Sequence, residues 1–213
     1  MAAKKVLTRA ESRAQTREEI LEAAEKLFIA NGYHGTSLAT IAAETGRTIG
    51  AVYSNYESKE DLCVEVLKRR SSGELAALMS GLMASDEDIE SRLAVLASWW
   101  ARLTDDTALT ILAAEYAISV FHSDQREALI SATERIIESA RVLLEDFLPI
   151  DTSLVNDLAD DALNTLLATG IGLSALRVGG IIDLDRSVAL LTGEARMWFQ
   201  RLGDAVDELG KTG

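Results

Sequence analysis

Apolar residues return every three or four positions along nearly the whole chain, the spacing of α-helices and not of strands. The first run is Ile20, Ala24, Leu27 and Phe28. It is opened by Thr16-Arg17-Glu18-Glu19, which has capping-box spacing, and closed by Asn31-Gly32, two residues that tolerate the left-handed conformation. Ser37 is placed to cap a second helix that Gly46 stops, and Thr48 to cap a third running to about Asn55. Ser58, with Asp61 in the reciprocal position, opens a fourth helix striped by Leu62, Val66 and Leu67. Its period resumes beyond Ser71-Ser72-Gly73 through Leu75, Leu78, Met79 and Leu82, which predicts a long connector kinked near Gly73. Five more helices follow, over about 87–103, 106–121, 124–149 and 153–179, and from 185 to beyond Trp198. The pattern predicts an all-α protein of about nine helices in three parts: a basic mobile arm over 1–15, a three-helix head over 16–57, and a helical body over 58–213 that begins with the connecting helix.

Composition agrees. The chain has 213 residues, 48% hydrophobic and 26% charged, which is enough apolar material for a packed core. Only one proline, Pro149, interrupts it. The net charge of −13 argues against nucleic acid as a partner until its distribution is read. Residues 1–70 carry eleven Lys and Arg against ten Asp and Glu, a balance of +1, whereas 71–213 carry ten against twenty-four, or −14. Within 1–17 the balance is +4, from Lys4, Lys5, Arg9, Arg13 and Arg17 against Glu11. A basic arm on a near-neutral head directs that end toward phosphates, and the acidic body is kept off them. The single cysteine, Cys63, excludes an intrachain disulfide and reads as a buried thiol. With no apolar run of membrane-spanning length and no signal-peptide core at the N-terminus, a cytoplasmic location is expected and no membrane partner.

The segment 35–56 carries the chemistry. Ala42 precedes Gly46 by four residues and Val52 follows it by six. A small residue lets a second helix cross the first closely, a glycine makes the tight turn, and an apolar anchor holds the second helix down. This is what a helix-turn-helix requires, and its second helix enters the major groove of DNA. With Val52 inward, Arg47, Thr48, Ile49, Gly50 and Ala51 fall near the groove. Arg47 is the candidate for bonding guanine O6 and N7 together, and Ile49 for touching a thymine methyl.

Over about residues 14–62 the chain resembles the TetR family of bacterial transcription regulators. The likeness is carried by Leu27-Phe28, Gly32-Tyr33, Thr36-Ser37, Ile41-Ala42, Gly46, Thr48, Gly50, Tyr53, Tyr56 and Ser58-Lys59-Glu60-Asp61-Leu62. Two positions depart from the pattern: Arg47 stands where an apolar residue is common, and Asn55 where a histidine is frequent. The resemblance implies that Thr36, Tyr53, Asn55 and Lys59 grip phosphates, together with the amide groups that begin the second helix, behind Ser37, and the fourth. It also implies a ligand-responsive repressor acting as a homodimer on palindromic double-stranded DNA. One recognition helix reads too few base pairs, so pairing is expected on energetic grounds as well. In the helix over 153–179, Ala168, Gly172 and Ala175 form a strip of small residues. With Val188, Leu191, Ala195 and Trp198 of the last helix, this strip is the expected dimer interface. A small apolar or amphipathic effector is expected in the body, lined by Met79, Met83, Leu96, Trp99, Trp100, Tyr116, Phe121 and His122.

Other classes find little support. The two histidines, His34 and His122, and the cysteine lie in three different regions, so no metal-ligand spacing appears. Gly170-Ile171-Gly172 lies inside a helix and has no preceding strand, so no phosphate loop is present. Neither an enzyme nor a cofactor is expected. The alternative is a helical adaptor or small-ligand-binding protein without DNA binding, which Arg47→Ala or Tyr53→Ala would leave unaffected.

Overall fold

The computed structural model describes residues 8–86, 88–121 and 156–212, with scattered positions from 126 to 142. Among these residues every regular element is a helix: α1 (Arg9–Gly35), α2 (Leu38–Glu44), α3 (Ile49–Tyr53), α4 (Lys59–Met83), α5 (Ile89–Asp105), α6 (Thr107–Val120), α7 (Asn156–Val178) and α8 (Leu184–Thr212). Most of the helix expected over 124–149 lies outside the described residues, as does His122.

The caps set the boundaries. The Ser37 side chain accepts the Thr40 N–H at 3.1 Å, and the Thr48 side chain accepts the Ala51 N–H at 3.3 Å. Gly46 sits at φ 64, where a side chain would be strained, and turns α2 into α3. α4 runs through Gly73 as one α-helix, because a single glycine weakens a helix without breaking it. The start of α1 differs most from expectation. Thr8 and Glu11, not Thr16 and Glu19, form its capping box, so residues 9–15 are helical and do not belong to an arm.

The chain divides into two compact units, Met1–Arg70 with Ile111–Arg126, and Ser71–Thr110 with Glu127–Gly213. The boundary expected at residue 57 is therefore displaced. The first turns of α4 and most of α6 pack with the head because their apolar stripes complete its core. That core contains Ile20, Phe28, Ile41, Val52, Tyr56, Leu62, Cys63, Val66, Leu112, Tyr116 and Val120, each essentially free of solvent. Cys63 is among them, and burial pushes its thiol up to about 12. A thiol reagent at pH 8 is thus expected to leave the native protein unmodified and to label one site after denaturation. Rapid native labelling would mean that α4 opens at its base.

The second unit is built on α5, α7 and α8. Trp100, Leu173 and Leu191 form one core cluster, with Leu96, Trp99 and Val188 packed against it. Ala159, Ala162, Trp198 and Leu202 form another. The Trp100 indole N–H donates to the buried Ser187 hydroxyl at 2.8 Å, so the ring's polar atom is satisfied. Arg196 bonds Glu90 and ties α8 to α5. Among the described residues no helix is long and apolar enough to cross a membrane.

Two sets of expected residues are relocated here. Leu191, Ala195 and Trp198 are buried within the chain's own core and Val188 packs on it, so this face of α8 is not offered to a partner. Their spacing marked a buried helical face but could not say against what. The residues expected to line a ligand pocket are divided between the two units. Tyr116 belongs to the first unit, while Leu96, Trp99 and Trp100 are core of the second. Met83 and Phe121 are exposed. Met79 is half-buried on α4. A shallow depression between α4 and α5 is lined by Ala77, Gly81, Ala94, Val95, Ser98 and Arg102, none of them an expected ligand residue.

Candidate nucleic-acid interface

α3 is five residues long and has one inward anchor, Val52, with no exposed surface. Everything on its other side faces solvent: Thr48, Ile49, Gly50, Tyr53 and Ser54 are exposed and Ala51 is half-buried. A helix this short has little stability of its own. It is held by its Thr48 cap, by Val52, and by two arginines from α1. Arg13 donates to the Ser54 carbonyl at 3.2 Å and Arg17 to the Asn55 carbonyl. Arg17 also lies 4.0 Å over the ring of the buried Tyr56, whose hydroxyl donates back to the Arg17 carbonyl at 3.2 Å. Neither arginine was among the sequence candidates. Their spacing with Arg9, at i, i+4 and i+8, points to this role only once the helix is known to begin at Thr8.

The expected residues divide into three groups. Ser37, Thr48, Ile49, Gly50 and Tyr53 are exposed on α2 and α3, with Ala51 beside them. Arg47 is exposed too, but its guanidinium bonds the Glu19 carboxylate of α1 at 2.6 Å. Glu19 also accepts from Gln15 at 2.9 Å, and the Arg47 bond holds its carboxyl below the usual carboxylate range. Arg47 therefore stands against α1, and a base contact requires that pair to part. Where the family pattern has an apolar residue, this chain bridges the α2–α3 turn to α1 with an ion pair.

Three others are turned to internal work. Thr36 is 2% exposed, and its hydroxyl donates to the Gly32 and Leu27 carbonyls, so no phosphate reaches it. This corrects its expected role: it locks the end of α1. The Asn55 amide donates to the Ala51 carbonyl at 2.8 Å, back onto its own helix. The Lys59 ammonium sits 4.0 Å over the Tyr33 ring.

Tyr33 connects the head to α6. Its hydroxyl donates to Glu60 at 2.6 Å, its ring meets Tyr116 edge-on, and its N–H donates to Glu115 at 2.6 Å. Burial, and then the Glu60 carboxylate, push the Tyr33 phenol well up. Among the described residues no cluster of three or more His, Cys, Asp or Glu side chains could hold a metal ion.

Residues 20–66 match the model of the family described as bacterial regulatory proteins, tetR family. Relatives include an uncharacterised HTH-type transcriptional regulator of Lactococcus lactis subsp. lactis, 32% identical over 84 residues, or 39% of this chain and 43% of that protein. Another is the HTH-type transcriptional repressor BepR of Brucella suis, 42% identical over 62 residues, or 29% of each chain. The matched part thus spans less than half the length of these relatives. A crystal structure of a transcriptional regulator from Rhodococcus sp. Rha1 is similar in fold, with a TM-score of 0.65 and 19% identity over 86% of this chain and 96% of the other.

Proposed function

We propose that the chain, whose head at residues 20–66 matches the tetR family of bacterial regulatory proteins, is a sequence-specific DNA-binding transcriptional regulator. The observation that carries this reading is the presentation of α3. Val52 is fully buried, while Ile49 and Tyr53 are 47% and 56% exposed. Side chains of that size left in solvent beside a glycine, Gly50, form a surface shaped to meet a groove and not a core. Thr48, Ile49, Gly50 and Ala51 would then meet base edges, with Arg47 added once Glu19 releases it. Tyr53, Ser37 and the first amide groups of α2 would bind phosphates.

The finer parts of the reading have separate supports. Homodimerisation is supported by an outward face on α7 made of Ala168, Ile171, Gly172 and Ala175, all exposed, which continues on α8 through Leu190, Gly193 and Met197. A Cβ added at Gly172 or Gly193 would meet nothing within the chain, so neither glycine is required by internal packing. Repression is supported by a relative such as BepR, which is named a repressor. Response to a small apolar or amphipathic effector rests on the resemblance alone, as does a cytoplasmic location. The named relatives are transcriptional regulators.

Selection of duplexes from a random pool tests the central claim. A palindromic consensus is expected to emerge. Tyr53→Phe removes one exposed hydroxyl and should weaken binding to that duplex about 10- to 100-fold, the equivalent of the ~1.5–3 kcal/mol of a hydrogen bond to a charged group. Its melting temperature should not change. Failure to enrich any sequence would defeat the regulator reading and favour the adaptor.

A further inference from the structure

Between Gly35 and Tyr56 the chain has one basic side chain, Arg47, and one acidic one, Glu44. Glu44 is taken up by Lys26 at 2.6 Å. The positive charge of the segment is therefore that of Arg47, and Glu19 of α1 holds it. The Glu19 carboxylate is itself aimed. One oxygen accepts from the Gln15 amide at 2.9 Å, one turn earlier on α1, and the other from the Arg47 guanidinium at 2.6 Å. The bond to Arg47 keeps the carboxyl below the usual carboxylate range, so it is ionised at neutral pH.

The turn between α2 and α3 does not depend on this pair. The Gly46 N–H donates to the Ala43 carbonyl at 3.1 Å, the Arg47 N–H to the Ala42 carbonyl at 2.8 Å, and Thr48 caps α3. With the backbone fixed on both sides, the Arg47 side chain can leave Glu19 without moving α3. The two side chains are 39% and 36% exposed. A pair this open to water shifts an equilibrium by only about 1.5- to 5-fold. A guanine that offers O6 and N7 together supplies about 5- to 150-fold. A site with one acceptor competes with the carboxylate on nearly equal terms.

We infer that Glu19 is a specificity-determining residue of the reading head: its carboxylate competes with DNA for Arg47, so that Arg47 leaves α1 for a guanine and at a lower preference than a free arginine would show. The inference rests on the DNA-binding reading above and adds to it a residue outside the helix-turn-helix. Glu19 touches no base; it acts through Arg47. The strength of the pair is subtracted from every complex that uses Arg47 and from none that does not, so it lowers discrimination at that one base pair.

The experiment repeats the selection of duplexes with wild type, Glu19→Gln, Arg47→Ala and the Glu19→Gln/Arg47→Ala double variant. Glu19→Gln keeps the size of the side chain and removes its charge. Its consensus should favour guanine at one position of each half-site about 1.5- to 5-fold more strongly than the wild type does. Fluorescence anisotropy on duplexes with and without that guanine should give the same ratio. Arg47→Ala and the double variant should both lose the preference, and the charge change in the double variant should act on the two duplexes alike. A residue that only braced the turn would change the melting temperature and leave the base frequencies as they were. Glu19→Asp is the second variant: it keeps the charge, cannot reach Arg47 at the same distance, and should sharpen the same position. Identical base frequencies for wild type and both Glu19 variants, or a sharpening that survives Arg47→Ala, overturns the proposal and, with a consensus still selected, leaves the regulator reading intact. If the wild type enriches nothing, both fall together.

Discussion

Gly32→Ala is expected to destabilise the head by roughly 2–6 kcal/mol, a large share of the ~5–15 kcal/mol that holds a typical domain together. Gly32 has φ 73 and ψ 174, a region that is essentially closed to residues with a Cβ. Holding alanine there costs about 1–3 kcal/mol. A Cβ would also stand 2.7 Å from Oε2 of Glu115. That carboxylate accepts the Tyr33 N–H, and displacing it leaves a part-buried donor unsatisfied, about 1–3 kcal/mol more. Two variants separate these effects under urea. Gly46→Ala also places a side chain at positive φ, but its Cβ would meet nothing within 4 Å, so it should carry strain alone. Glu115→Ala should carry the lost hydrogen bond alone. If Gly32→Ala is no more costly than Gly46→Ala, the link from α6 to the head contributes nothing.

That link also marks where the sequence stops being informative. The helix-turn-helix is legible because each of its signals is local. Ser37 and Thr48 cap helices within three residues, Gly46 makes the turn, and Val52 anchors the next helix within six. The Glu115 contact joins residues 82 positions apart, and nothing at Gly32 in the sequence says which carboxylate will arrive. The start of α1 was ambiguous for another reason. Thr8 to Glu11 and Thr16 to Glu19 have the same capping spacing, and the helix takes the earlier pair because both hydrogen bonds of that box form. Glu19 is then free to pair with Arg47, which is why an arginine that reads as a base contact stands instead against α1. On α8 the apolar period located a buried face correctly but assigned it to a partner subunit, because periodicity records burial and not what supplies it.

The second large effect concerns pairing. On the dimer reading, Ile171→Asp and Gly172→Arg are expected to give monomers whose affinity for the selected duplex falls by about 10²–10⁴, the range over which tethering makes the second half-site contact nearly intramolecular. Ile171 is 63% exposed, so a charge there should not damage the fold of the single chain. Ala195→Arg makes the contrast. It places a charge at a position with no exposed surface and should unfold the second unit instead of dissociating a folded one. Sedimentation equilibrium with circular dichroism distinguishes a folded monomer from an unfolded chain, and anisotropy measures the affinity. A wild type that is monomeric while binding a full palindrome, or an Ile171→Asp variant that stays dimeric, would place the interface elsewhere. α7 has two distinct sides. Ala159, Ala162, Leu163 and Leu173 face the chain's own core, and Ala168, Ile171, Gly172 and Ala175 face away from it. A helix that needed only its own subunit would keep polar residues on the second side. From Ala168 to Ala175 this one presents alanine, glycine and isoleucine there, the residue types that let another helix approach closely.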